Sequence, residues 1–192
     1  MTKQSTTAQA KAGQVNGPTL LTIIRMVLAV AFFGFALVPA VWTKVVALVL
    51  FILAAITDKI DGEWARKQKL VTDLGAFLDP LADKMLIDLA FLALTYLNIV
   101  PIWVFAIILV RDLAVDGVRM VAARNGQTVA ASFTGKLKTT MQMTALIILL
   151  ANCLFNQGWM AVIGNITLYL ALLLTVISGA EYLLKLPLRQ DS

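Results

Sequence analysis

Histidine is absent from this 192-residue chain, and Cys153 is its single cysteine. A His-based nucleophilic triad, a His–metal centre, a Cys/His zinc site and an internal disulfide are therefore all excluded. Charge is scarce too, at 14% of residues, where soluble domains average about 25%. What fills the space is apolar: 60% of residues are hydrophobic and the mean hydropathy is +0.86. These proportions exclude an ordinary soluble globule, a disordered chain and a nucleic-acid module, even though the net charge is +5 and the pI about 9.5. Any chemistry must come from carboxylates, Lys, Arg, hydroxyls and backbone. Any metal would be a hard cation held by oxygen.

The apolar residues form six successive runs, about 20–41, 45–65, 75–97, 101–121, 137–155 and 160–184. Each is near the roughly 20 residues that an α-helix needs to cross a bilayer. The expected fold is all-α, a polytopic membrane protein with six transmembrane helices. Pro39 and Thr43 are expected to close the first span, Asn98 and Pro101 to separate the third and fourth, and Asn156 to Gly158 the last two. Residues 1–16 read as a polar leader without the apolar core of a signal peptide, 17–186 as the helical domain and 187–192 as a short tail. Lys3, Lys11, Arg66, Lys67, Lys69, Arg124, Lys136, Lys138, Lys185 and Arg189 flank alternate connections, and the opposite connections hold only Lys44. This bias places both termini on the cytoplasmic side. Trp42, Trp103 and Trp159 fall near the opposite ends, as interfacial anchors do.

Ten of the charged residues fall between Asp58 and Asp83. Asp58, Asp61, Gly62 and Ala65 follow i, i+3, i+4, i+7, and Gly75, Asp79 and Asp83 follow i, i+4, i+8, so each set shares one helical stripe. A short connection makes the two helices antiparallel neighbours, which can gather four carboxylates in one volume. Such a group needs protonation, basic partners or divalent cations, and an oxygen-only donor set suits Mg²⁺, Mn²⁺ or Ca²⁺. The small residues on these stripes leave open space, or simply let the helices pack closely.

The segment Asp58-x-x-Asp61-Gly62-x-x-Ala65-Arg66, eight residues, Gly75-x-x-x-Asp79-x-x-x-Asp83 resembles the signature of the CDP-alcohol phosphotransferases, with all eight residues at the family spacing. The resemblance implies an integral membrane enzyme that binds two divalent cations, Mg²⁺ or Mn²⁺, and transfers a substituted phosphoryl group from a CDP-linked donor to an alcohol. It implies Asp58, Asp61, Asp79 and Asp83 as metal ligands, with Asp83 also the candidate general base. Gly62, Ala65, Arg66 and Gly75 would line the CDP site. The opening Asn16-Gly17-Pro18-Thr19-x-x-Thr22-x-x-Arg25 is similar to the family's N-P-N-x-x-T-x-x-R, with Thr19 where Asn is usual. It offers Pro18, Thr19 and Thr22 as donor contacts, while Arg25 is expected to snorkel to the inner interface.

A second basic group speaks to the acceptor. Arg111, Val115 and Arg119 follow i, i+4, i+8, and Arg111 lies about 15 Å inside its span, where an idle arginine is costly. With Lys136 it can bind an anionic acceptor, Arg presenting a bidentate fork to phosphate; pairing with Asp112 and Asp116 is the plainer account. Lys138 and Lys69 read as surface charges. Asp79-Pro80-Leu81-Ala82-Asp83-Lys84, Arg111-Asp112 and Gly135-Lys136-x-Lys138-Thr139 resemble the branch that uses CDP-diacylglycerol and sn-glycerol 3-phosphate. That implies Arg111, Arg119 and Lys136 around the acceptor phosphate, a cytoplasm-facing site in a bacterial-type membrane, and a homodimer. Branches that use inositol phosphate or make cardiolipin are the alternatives within the family. A small cation transporter is the alternative outside it, since intramembrane charges are expected there as well.

Overall fold

The computed structural model describes residues 17–68, 73–124 and 133–185. Within these, the side chains at 17–19, 58–77, 79, 121, 123–124 and 183–185 are not described. The expected leader and tail both lie outside the described residues. Those residues form six helices and no strand: α1 (Gly17–Ala36), α2 (Val41–Gln68), α3 (Asp73–Tyr96), α4 (Ile102–Arg124), α5 (Phe133–Phe155) and α6 (Gly158–Lys185).

Two expected boundaries need correction. Thr43 does not close the first span but lies in the first turn of α2, because Pro39 alone punctuates the chain there. Its buried hydroxyl is satisfied locally, donating to the carbonyls of Val38 at 2.9 Å and Ala40 at 2.7 Å. Residues 66 and 67, expected between the second and third spans, carry helical backbone at the end of α2.

The chain divides into two compact units, Met1–Ala93 and Leu94–Ser192. In the first, α2 packs back on α1. Ala29 and Ala36 on α1 and Ala47 and Ala54 on α2 are buried and small, so the helices approach closely around Phe32 and Phe51, whose ring centroids are 5.3 Å apart. In the second unit α6 packs on both α5 and α4. Gly164 permits the α5–α6 approach: a Cβ there would stand 2.6 Å from Leu149 Cδ2.

The short turns rely on asparagine rather than glycine. Asn98 and Asn156 take left-handed backbone, with φ of 58° and 48°, a region Asn tolerates better than most residues. After α5, the Asn156 amide donates to the carbonyl of Asn152 at 2.9 Å, and the Asn152 side chain accepts from the Gln157 amide at 2.9 Å. Asn156→Gly should leave stability nearly unchanged, whereas Asn156→Val should cost about 1–2 kcal/mol. Thermal unfolding in detergent reads the difference; equal midpoints for both variants would refute it.

Helix α6 buries Leu168 and Ala171 but turns much of its apolar surface outward. Trp159, Val162, Ile163, Ile166, Leu170, Leu173 and Ile177 are exposed, while Thr175, Ser178 and Tyr182 are buried. Apolar surface on this scale marks contact with lipid or protein. Among the described residues, Phe133–Phe155 and Gly158–Tyr182 are long and apolar enough to cross a membrane, and Leu20–Ala36 and Val41–Thr57 are shorter apolar helices.

Candidate active site

In the first unit all eight signature positions carry helical backbone: Asp58, Asp61, Gly62, Ala65 and Arg66 on α2, and Gly75, Asp79 and Asp83 on α3. The expected one-face spacing is therefore realised on two consecutive helices. Of these eight side chains, only that of Asp83 is described, and no metal-binding group of three or more acidic or Cys side chains occurs among the described residues. Pro80 sits inside α3 between the last two carboxylates. Having no N–H, it cannot donate the usual helical bond to the carbonyl four residues back.

Asp83 has a definite anchor. Arg25, on α1, donates from Nη1 to Asp83 Oδ1 at 2.8 Å. The arginine is 1% exposed and the carboxylate 45% exposed. The expectation that Arg25 snorkels to an interface is thus corrected: a carboxylate on α3 offsets the cost of burying its charge in an apolar helix. Thr22, one turn earlier on α1, is also fully buried. Pro18 and Thr19 lie in the first turn of α1, with side chains outside the description. A carboxylate oxygen of this kind is a ligand type that suits a hard divalent cation, and Asp83 is the one signature carboxylate whose side chain is described.

A second polar cluster lies within the other unit. Arg111 on α4 donates to Asp112 Oδ1 at 2.9 Å and to Ser178 Oγ on α6 at 2.6 Å. Lys138 on α5 donates to the same Asp112 oxygen. Arg119 donates to Tyr182 Oη at 2.6 Å, with its guanidinium carbon 5.1 Å from the ring centroid. Thr134 donates to Glu181 at 2.9 Å, and Gln142 to Thr175 at 3.4 Å. Arg111 and its carboxylate do pair, as the plainer account expects. Yet the Nε–H groups of both Arg111 and Arg119 are buried without a hydrogen-bond acceptor. A buried donor left unmade is costly, and two of them on cations suit an anionic ligand. Gly179 makes room for the Arg111 stem, since a Cβ there would stand 2.9 Å from Arg111 Cγ.

One of the two lysines departs from expectation. Lys136 is exposed, whereas Lys138, expected at the surface, is only 5% exposed. The reason is helical phase. Lys138, Gln142, Ala145 and Leu149 are buried at i, i+4, i+7 and i+11, one stripe; Lys136 is about 200° away around α5. Sequence reasoning missed Lys138, Ser178 and Tyr182. The signal was present in the apolar stripe that continues from Lys138, and in Thr175, Ser178 and Tyr182 recurring at helical spacing on an otherwise apolar helix.

Comparison with known proteins adds an independent line. The CDP-alcohol phosphatidyltransferase family profile matches residues 15–177. The chain is 37% identical over 182 residues to a CDP-diacylglycerol–glycerol-3-phosphate 3-phosphatidyltransferase of Bacillus subtilis, covering 88% of this chain and 94% of the relative. It is also 37% identical over 187 residues to a probable phosphatidylglycerophosphate synthase of Mycobacterium tuberculosis, covering 91% and 87%. A Shigella flexneri protein with the same name as the Bacillus relative is 37% identical over 175 residues, covering 88% and 94%.

Proposed function

The chain belongs to the CDP-alcohol phosphatidyltransferase family, and is thus a transferase; on that premise we propose that it moves the phosphatidyl group of CDP-diacylglycerol to sn-glycerol 3-phosphate, giving phosphatidylglycerophosphate and CMP. The complete signature on two consecutive helices carries this reading. The acceptor is supported by the names of the relatives and by the half-buried Arg111 and Arg119 and the buried Lys138. Membership in a transferase family sets aside the cation-transporter alternative.

In the proposed mechanism the acceptor hydroxyl oxygen attacks the phosphorus that bears diacylglycerol. A new P–O bond forms, the P–O bond to CMP breaks, and Asp83 takes the hydroxyl proton. Arg25 keeps the Asp83 carboxylate in place. Asp58, Asp61, Asp79 and Asp83 would hold two divalent cations, Mg²⁺ or Mn²⁺. Once bound, these supply positive charge that offsets the pyrophosphate and the departing CMP. Gly62, Ala65, Arg66 and Gly75 line the CDP site, and Pro18, Thr19 and Thr22 contact the donor. Arg111 and Arg119 hold the acceptor phosphate, with Lys138 inside α5 and Lys136 on its exposed side. Six membrane crossings with both termini and the site on the cytoplasmic face of a bacterial-type membrane fit the Lys/Arg bias, and a homodimer fits the family.

The test is purified protein in detergent with CDP-diacylglycerol and Mg²⁺, offered glycerol 3-phosphate, inositol phosphate or phosphatidylglycerol separately. CMP release with glycerol 3-phosphate is expected. Release with inositol phosphate or phosphatidylglycerol in its place would overturn the acceptor assignment. A trapped phosphoryl-enzyme would overturn direct displacement.

A further inference from the structure

A carboxylate is an unexpected neighbour for cations that bind an anion, because it repels the ligand they attract. Asp112 is nonetheless lodged between two of them. Its Oδ1 accepts from Arg111 on its own helix and from Lys138 on α5. The three side chains are 13%, 14% and 5% exposed in the order Arg111, Asp112, Lys138. Two buried like charges would separate without a shared counter-ion. With Asp112 present they converge on one oxygen, and the trio keeps one net positive charge. The rest of the guanidinium is fixed as well. Ser178 takes its second arm, Gly179 leaves space for its stem, and its Nε–H still faces no acceptor.

We infer that Asp112 is a positioning residue: it holds the Arg111 guanidinium and the Lys138 ammonium at the one spacing that grips a phosphate monoester. These two cations bind the phosphate together with Arg119; Asp112 acts only through Arg111 and Lys138. This rests on the reading of the cluster as the acceptor-phosphate site, and it adds a determinant of preference for phosphorylated over plain alcohols.

Asp112→Asn retains size and a carbonyl acceptor but removes the charge. It should raise the KM for glycerol 3-phosphate about tenfold or more, while the KM for CDP-diacylglycerol stays within about twofold. Asp112→Glu should recover part of the loss. In a double-mutant cycle with Lys138→Gln, the double variant should be little worse than the poorer single variant, because both changes disable one device. An acceptor KM that holds level or falls would show the carboxylate competing with phosphate and overturn the inference. Equal rises in both KM values would reduce Asp112 to general packing and also overturn it. Failure of the underlying reading is separately visible: the unmodified protein would then release no CMP with any phosphorylated acceptor.

Discussion

Asp83→Asn should lower turnover by about 10²–10⁴-fold while the protein still binds CDP-diacylglycerol. The substitution removes the proton acceptor, one proposed metal ligand and the charge that faces Arg25, and keeps the shape of the side chain. Asparagine has the same shape, and its Oδ1 can still accept from Arg25 Nη1, now 2.8 Å from the carboxylate. The loss of charge is felt on the other side of that contact, where Arg25 is 1% exposed. Breaking a fully buried pair costs about 3–5 kcal/mol, and the half-exposed carboxylate places the cost here below that range. Some loss of thermal stability is therefore expected, and donor binding measured alongside CMP release separates it from loss of chemistry. Near-normal turnover in a variant that binds donor would refute the base assignment.

Arg111→Ala has the second-largest expected effect, and on a different parameter. A hydrogen bond to a charged group contributes about 1.5–3 kcal/mol, so the acceptor KM should rise about 10- to 150-fold. The donor KM should change little. Arg111 also joins α4 to α6 through Ser178, so some destabilisation is expected. Loose packing alone would weaken both substrates alike, and an equal change in the two KM values would remove Arg111 from the acceptor site. The ratio of the two KM values, read from initial rates with each substrate varied in turn, decides the matter.

Most of the helices were legible because an apolar run bounded by Pro, Asn or Gly needs no distant partner to declare itself; the break between α2 and α3 is marked by charge instead. The helical backbone at the signature positions was legible for a similar reason: their spacing is that of one helix face. Arg25 was not, because its partner is 58 residues away in sequence and nothing local distinguishes a buried arginine from a snorkelling one. The burial of Lys138 turned on helical phase. The expected span began at 137, whereas α5 begins at Phe133 and carries Lys138 on its inner stripe. Thr43 misled because a hydroxyl near a proline resembles a break, although its bonds to two carbonyls place it inside the next helix. In each case a contact between elements, or a local bond that spacing cannot reveal, settled the position.

The room that Gly179 leaves for Arg111 has a consequence for how this chain can change over time. A methyl group at 179 would collide with the arginine stem at 2.9 Å, so the order of substitutions matters. A lineage that first shortens residue 111 frees position 179 to accept a side chain. One that first fills position 179 passes through a displaced arginine and a weakened acceptor site. The two positions, 68 apart in the chain, are thus bound into a single historical unit in which the arginine must yield first.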